Sequence, residues 1–175
     1  MVEGNDKYLI PGLIDDQVHF REPGLTDKGT IESESKAALA GGITSFLEMP
    51  NTNPQTTTIK NWEQKNKLAS RTSFANYSFM FGGTNDNLDQ ILKLDSKRVP
   101  ALKLFLGSST GNMLIDDPEV LRQIFRSTNL VIAVHCEDEK TIKNNLKIAK
   151  EKFGEKIPVD QHPVIRDENA CYISS

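Results

Sequence analysis

The chain is poor in the features that mark secreted, membrane-spanning and nucleic-acid-binding proteins. Its 175 residues include only two cysteines, Cys136 and Cys171, which form neither a disulfide framework nor a metal-type pair. No apolar run approaches the roughly 20 residues of a membrane span, and there is no secretory signal pattern. A net charge of -3 gives no reason to expect nucleic acid or an anionic membrane as a partner. We therefore expect a protein of the cytoplasm.

Apolar runs and helical patterns alternate along the rest of the chain. The centres of successive apolar runs lie about 25 to 31 residues apart, which is the length of one βα unit. Asp117 and Pro118 form a good helix start. The predicted strands cover 13–19, 43–49, 74–81, 99–106 and 130–136, and the predicted helices cover 31–40, 59–70, 87–94, 118–126 and 137–153.

This alternation predicts an α/β fold with a parallel sheet. Two architectures fit it: a doubly wound open sheet and a (β/α)8 TIM-type barrel. A whole barrel takes about 250 residues, so five units and a sixth helix starting near Asp167 would form only part of one. Such a part would leave an open sheet edge and apolar faces. We therefore expect either the rest of a longer enzyme or copies of this chain, in a homo-oligomer, to cover them.

The first predicted strand ends in polar side chains that suit a metal ion or an anion. His19 closes the strand, at the position where parallel α/β folds place their active sites. Arg21 could form a fork onto a substrate carboxylate, or it could pair with Glu22 or Asp27 at the surface. Gln17 shares the strand face of His19 and stands where a second metal ligand would be useful.

Histidine is scarce, but its placement is informative. Of the three histidines, His19 and His135 both close predicted parallel strands. His162 lies in a polar segment, and we interpret it as a solvated loop residue. One histidine at a strand end is more often structural than a metal ligand, but two of three, together with Lys103 at a third strand, favour a metal site. Imidazole and carboxylate-type oxygen suit zinc or a similar divalent ion.

Lys103 occupies an unusual position within the fourth predicted strand. Leu102 and Leu104 suit packing against outer helices, whereas Lys103 shares the opposite face with Ala101 and Phe105. A lysine there is unfavourable unless its charge is removed or paired. A neutral amine can add carbon dioxide, and the resulting carbamate has two metal-binding oxygens. The alternative is a lysine that extends to solvent along the strand end.

The second predicted strand ends in a turn that contains Asn51. Pro50 and Pro54 stiffen this turn, and the Asn51 side chain can both donate and accept hydrogen bonds. A turn built simply from turn-forming residues is the alternative.

Six segments of the chain resemble the cyclic amidohydrolases, and within them the dihydroorotases. The segments at 19–24 and 49–52 are specific to the dihydroorotase and allantoinase side of that group. The resemblance covers nearly all of residues 1–175 and implies a metal-bearing (β/α)8 TIM-type barrel, of which this chain would hold the N-terminal part, about five βα units. In order, the segments are Pro-Gly-Leu-Ile-Asp (11–15), His-Phe-Arg-Glu-Pro-Gly (19–24), Ala-Gly-Gly-Ile-Thr (40–44), Met-Pro-Asn-Thr (49–52), Lys-Leu-Phe (103–105) and His-Cys-Glu-Asp (135–138).

The resemblance also implies roles for individual residues. His19 and His135 would bind one or two zinc ions, and Lys103 would be the carboxylated lysine that bridges them. Arg21 and Asn51 would hold the carboxylate of a small-molecule substrate.

The chain departs from the family pattern at three points. The family usually has a small β-sandwich formed from both chain ends, and we expect the residues that would supply its N-terminal strands to be missing before Met1. The family has histidine where this chain has Gln17, whose amide oxygen is a weaker zinc ligand, so one metal would be bound loosely or lost. A further histidine ligand and the catalytic aspartate are expected beyond residue 175. We therefore expect no catalytic residue within this chain and no turnover by the chain alone.

The activity implied by the resemblance is the reversible hydrolysis of dihydroorotate to N-carbamoyl-aspartate in pyrimidine biosynthesis. An allantoinase or a hydantoinase is the nearest enzymatic alternative, but allantoin and most hydantoins lack the carboxylate that Arg21 favours. A third possibility is a non-catalytic homologue that acts as a scaffold for a partner such as aspartate transcarbamoylase. Gln17 supports the scaffold, and the other site residues argue against it.

Overall fold

The computed structural model describes residue 4, residues 6–107 and residues 111–175. The described residues form strands and helices that alternate along the chain, and a 3-10 turn at Val159–Gln161 precedes α6. In chain order the elements are β1 (Leu13–Val18), α1 (Ile31–Ala40), β2 (Ile43–Glu48), α2 (Ile59–Thr72), β3 (Asn76–Phe79), β4 (Phe81–Gly82), α3 (Leu88–Ile91), β5 (Ala101–Phe105), α4 (Pro118–Ser127), β6 (Val131–His135), α5 (Glu139–Phe153), α6 (His162–Ile165) and α7 (Glu168–Ser174).

All strand pairs are parallel, and the strands lie in chain order. One sheet has the order β1-β2-β3 and the other has the order β4-β5-β6. A doubly wound sheet reverses direction at a switch point, whereas a barrel adds each new strand beside the last. The order is therefore that of a TIM-type barrel, and the doubly wound alternative is wrong.

The third predicted strand, 74–81, is divided in two at Met80. The Met80 amide donates to the carbonyl oxygen of Glu48 on β2 (3.0 Å), and Gly83, just beyond β4, donates to the carbonyl oxygen of Lys103 on β5 (2.9 Å). One chain segment thus pairs first with β2 and then with β5. The structure therefore has six strands in two three-stranded sheets, where the sequence predicted five strands.

Local sequence signals place several helix ends. The Asp117 side chain accepts hydrogen bonds from the amides of Glu119 and Val120, and Pro118 begins α4, as predicted. Helix α1 has the predicted bounds and stops at Gly41. The prediction for His162 was wrong in part, because this exposed residue begins the short helix α6 instead of lying in a loop.

Buried apolar side chains form two layers, one on each face of the sheets. The larger layer lies between strands and helices, and it includes Leu102 and Leu104 together with Ile124 of α4. The smaller layer, on the opposite face, includes Ala101 with Met49 and Met80. The alternation predicted for β5 is therefore confirmed.

The two outer strands expose apolar side chains. Ile14 on β1 is 71% exposed and Val131 on β6 is 69% exposed. Among the helices of the described residues, none is both long and apolar enough to cross a membrane.

Candidate active site

Three of the residues singled out from the sequence lie at the carboxyl ends of strands or just beyond them, and Lys103 lies in the middle of its strand. His19 follows β1 directly, Asn51 lies three residues after β2, and His135 is the last residue of β6. Lys103 is the third residue of β5 and pairs in register with Ala133 of β6. Gln17 lies within β1 and is exposed. Because parallel strands end at the same edge of a sheet, His19, Asn51 and His135 lie on the edge at which barrel enzymes bind substrate.

The imidazole of His19 is oriented by Asn51. His19 Nδ1 lies 2.9 Å from Asn51 Oδ1, and since an amide oxygen only accepts, Nδ1 carries the proton and Nε2 keeps its lone pair. Partial burial lowers the pKa of His19, and the positive charges of Arg21 and Lys103 lower it further, while the Asn51 hydrogen bond raises it. On balance these surroundings lower the pKa of His19 and favour neutral imidazole, the form that binds metals.

Lys103 is buried. It is 3% exposed, and its Nζ lies 5.2 Å from the centre of the Phe105 ring. Burial lowers the pKa of this amine, because an ammonium group loses its hydration there. The alternative in which Lys103 extends to solvent is therefore wrong, and the lysine is held in a setting that favours the neutral amine.

His135 belongs to a small charged cluster at the end of β6. Its Nε2 lies 2.7 Å from Glu137 Oε2, and Arg166 donates to the same carboxylate oxygen. The ring of His135 also packs near Phe105, with 6.4 Å between the ring centres.

The donor set fits a divalent ion only in part. In the described parts of the chain, no three residues of the types His, Cys, Asp and Glu are grouped to hold a metal. The ligand-type groups that the strand ends do provide are His19 with its free Nε2, the buried amine of Lys103 and the imidazole of His135. Two imidazoles and one lysine suit a zinc-type ion once the lysine carries a carboxylate, and Gln17 adds only a neutral amide.

Two loops that follow β1 and β2 are packed against each other; we call residues 19–25 the first loop and residues 49–56 the second loop. The Asn53 amide donates to the carbonyl oxygen of Pro23 (3.0 Å). A Cβ added to Gly24, whose φ is +85°, would lie 1.9 Å from the Asn53 carbonyl oxygen. The loops that carry Arg21 and Asn51 are therefore in direct backbone contact.

Arg21 has an unusual backbone conformation. Its φ is +73°, in the left-handed region that a residue with a side chain seldom adopts. The Arg21 amide donates to Glu48 Oε1 (3.0 Å). Glu22, which the sequence offered as a surface partner for Arg21, instead accepts the amide hydrogen of Ile31 at the start of α1 (2.7 Å).

Glu48 and Lys65 are two charged residues of the site that were not predicted from the sequence. Glu48 is 0% exposed and Lys65 is 1% exposed, and Lys65 Nζ lies 2.9 Å from Glu48 Oε2. The signal was present, because a charged residue within a strand covered on both faces needs a partner. That argument singled out Lys103, and it applies equally to Glu48 in the second predicted strand.

Comparison with known proteins gives a family match and close relatives. The amidohydrolase family model matches residues 8–163. A dihydroorotase of Methanosarcina acetivorans is 34% identical over 179 aligned positions, which cover 100% of this chain and 37% of that protein. The multifunctional protein CAD of Squalus acanthias is 36% identical over 143 positions, which cover 81% of this chain and 6% of that protein.

A solved structure supports the same fold. The L-hydantoinase of Arthrobacter aurescens matches with a TM-score of 0.86 and 28% identity, over 94% of this chain and 37% of that chain. The chain spans 32 to 38% of the length of the dihydroorotases that it matches.

Proposed function

Because this chain belongs to the amidohydrolase family, whose members are generally metal-dependent, we propose that it forms part of a dihydroorotase. The reaction would be the reversible hydrolysis of dihydroorotate to N-carbamoyl-aspartate, a step of pyrimidine biosynthesis in the cytoplasm. Residues 1–175 would form the N-terminal part of its barrel domain. The observation that supports this proposal is the packing of the first loop, which carries Arg21, against the second loop, whose Asn51 is hydrogen-bonded to His19.

We propose that Arg21 and Asn51 recognise the substrate's carboxylate. A guanidinium matches a carboxylate through two parallel hydrogen bonds, and dihydroorotate carries such a group. Allantoin and most hydantoins do not, so Arg21 favours dihydroorotate over the substrates of the related allantoinases and hydantoinases. The Asn51 side chain has a second task, since its oxygen already holds His19 Nδ1.

The metal would be zinc, held by His19, His135 and a carboxylated Lys103. A divalent ion there would polarise the cyclic amide and make hydroxide available near neutral pH. The chain's own contribution is to present one imidazole with a free Nε2 and one desolvated amine. With Gln17 at the remaining position, we propose that one ion is bound more weakly than the other, or is lost.

A scaffold without catalytic activity is the second candidate, and Gln17 favours it. In that case the protein would bind a partner such as aspartate transcarbamoylase and would need no metal. Replacing Gln17 with histidine separates the two candidates. If position 17 faces a metal site, the Gln17→His variant of the intact protein binds zinc about tenfold or more tightly in a competition titration, and an unchanged affinity favours the scaffold.

A substrate comparison tests the proposed function. The intact, zinc-loaded protein is assayed with dihydroorotate, allantoin and hydantoin. We expect hydrolysis of dihydroorotate, with kcat/KM at least about a hundredfold higher than for either ring that lacks a carboxylate, because Arg21 would lose its partner. An Arg21→Met variant should lose most of this preference. Equal or better turnover of hydantoin, or no turnover of any ring, would contradict the proposal.

A further inference from the structure

A buried ion pair lies in the apolar layer between β2 and α2. Glu48 Oε2 and Lys65 Nζ are 2.9 Å apart, and Lys65 Nζ also lies 4.9 Å from the centre of the Phe79 ring. Burial raises the pKa of Glu48 and lowers the pKa of Lys65, and the attraction between the two charges opposes both shifts. A buried ion pair seldom adds net stability compared with apolar residues of the same volume, so its presence calls for another reason.

The Glu48 side of the pair holds the first loop. Glu48 Oε1 accepts the backbone amide hydrogen of Arg21 (3.0 Å), at the residue whose φ is +73°. A left-handed residue with a side chain persists only where its surroundings hold it. The charge-assisted hydrogen bond from the Arg21 amide supplies such a restraint.

The Lys65 side of the pair holds the second loop. Lys65 Nζ donates to the carbonyl oxygen of Met49 (3.2 Å), the residue with which that loop begins and two positions before Asn51. The Met49 amide in turn donates to the carbonyl oxygen of Val18 (2.9 Å), the last residue of β1. One ion pair is therefore bonded to the backbones of both loops.

We propose that Glu48 and Lys65 are positioning residues for substrate binding: the ion pair fixes the backbones from which Arg21 and Asn51 reach the substrate's carboxylate. The inference rests on the carboxylate-binding role proposed above for those two residues. A positioning role accounts for the presence of these buried charges, which a contribution to net stability does not explain. Neither Glu48 nor Lys65 touches the substrate in this account.

The positioning role depends on the acceptor oxygens at position 48, which substitutions can change one at a time. A carboxylate offers one acceptor oxygen to the Arg21 amide and another to Lys65. A glutamine at position 48 keeps one acceptor oxygen, whereas a methionine of similar size keeps none. With Lys65 replaced by methionine in both cases, no charge is left unpaired in the core. The two double variants then differ in whether position 48 has an oxygen that accepts from Arg21, and glutamine also adds an NH2 group.

The experiment compares Glu48→Gln/Lys65→Met with Glu48→Met/Lys65→Met in the intact, zinc-loaded protein. The Met/Met variant should fold, because apolar replacement of a buried ion pair is tolerated, and the Gln/Met variant should fold because glutamine keeps the size of Glu48 without its charge. We expect the Met/Met variant to raise KM for dihydroorotate about tenfold with little change in kcat, because a displaced Arg21 weakens ground-state and transition-state binding alike. The Gln/Met variant should remain within about threefold of wild type, since one lost contact at Met49 is a smaller change.

Amide hydrogen exchange gives a readout that does not depend on activity. The Arg21 amide should exchange faster in the Met/Met variant than in the Gln/Met variant, because only the latter keeps its acceptor. Ser35→Ala is the control for a buried hydrogen bond lost elsewhere: Ser35 is 0% exposed, and its Oγ accepts the Phe74 amide hydrogen (3.1 Å). This variant should lower stability and leave KM unchanged.

The outcomes are separable. Equal KM values and equal exchange at Arg21 in the two double variants would overturn the positioning role, as would a rise in KM for Ser35→Ala as large as that for the Met/Met variant. If the wild-type protein does not act on dihydroorotate, the proposed function fails instead, and the positioning role for that substrate falls with it. The exchange rate of the Arg21 amide then decides whether the ion pair anchors the first loop at all.

Discussion

At the scale of single residues, the candidate site holds side chains in settings that cost stability. Arg21 has a left-handed backbone, and Lys103 is an amine that is 3% exposed. Strained backbone and desolvated charge are concentrated at functional sites, where the surrounding fold compensates for them. A substitution that relieves the strain or removes the buried charge should therefore raise the stability of the protein and weaken its binding of ligand.

The first prediction concerns the backbone of Arg21. Arg21→Ala and Arg21→Gly both remove the guanidinium, but only glycine adopts a φ of +73° without steric conflict. We expect Arg21→Gly to be more stable than Arg21→Ala by about 1 kcal/mol, measured by urea denaturation. Both should lose affinity for the substrate's carboxylate to the same extent. An alanine variant as stable as the glycine variant would show that the backbone at this position is unstrained.

The second prediction concerns Lys103 in metal-free protein. Because burial lowers its pKa from 10.5, the unfolded chain binds more protons than the folded chain between the lowered pKa and 10.5. Wild-type stability should therefore rise with pH across that window. Lys103→Met should be about 1 kcal/mol more stable than wild type at neutral pH, and this gain should shrink as the pH rises towards 10.5. Denaturation curves at several pH values measure it, and a pH-independent difference would contradict it.

At the scale of elements, the site depends on the contact between the first and second loops. Gly24 allows that contact, because any side chain there would meet the Asn53 carbonyl oxygen. The loops would otherwise separate, and Arg21 and Asn51 with them. Glycine is required at position 24 because the two backbones lie too close together to leave room for a side chain.

The third prediction uses a pair of matched glycines. Gly24 has a φ of +85° with the Asn53 oxygen 1.9 Å from an added Cβ, whereas Gly42 has a φ of +87° with nothing within 4 Å. Gly42→Ala should cost only the backbone strain, about 1 kcal/mol, and Gly24→Ala should cost at least about 2 kcal/mol more, because the loops must part. Thermal and urea unfolding measure both. Equal losses of stability in the two variants would mean that the two loops can move apart at little cost in free energy.

The sequence predicted elements better than it predicted contacts. The spacing of apolar residues predicted the strands and α1, and the Asp117–Pro118 cap predicted the start of α4. These predictions succeeded because the signals lie within a few neighbouring residues. The division of the third strand at Met80 depends on which neighbours each half pairs with, and no local signal reports that. Glu48 was detectable as a charge within a buried strand, but its partner Lys65 lies 17 positions away on a helix, and only the packed fold brings them together.

At the scale of the whole molecule, the described residues form part of a barrel wall with exposed edges. Ile14 and Val131 on the two outer strands are more than two-thirds exposed, which is more apolar surface than an edge strand normally leaves in contact with water. The chain also spans only 32 to 38% of the dihydroorotases that it matches.

Elemental analysis of the purified protein decides whether these strand ends hold a metal ion. We expect the intact protein, purified without chelator, to hold about one equivalent of zinc or more. We expect His19→Ala and His135→Ala to lose most of it, and His162→Ala, which changes an exposed helix residue, to keep it. A folded wild-type protein without metal, or zinc retained equally in all three variants, would contradict this prediction.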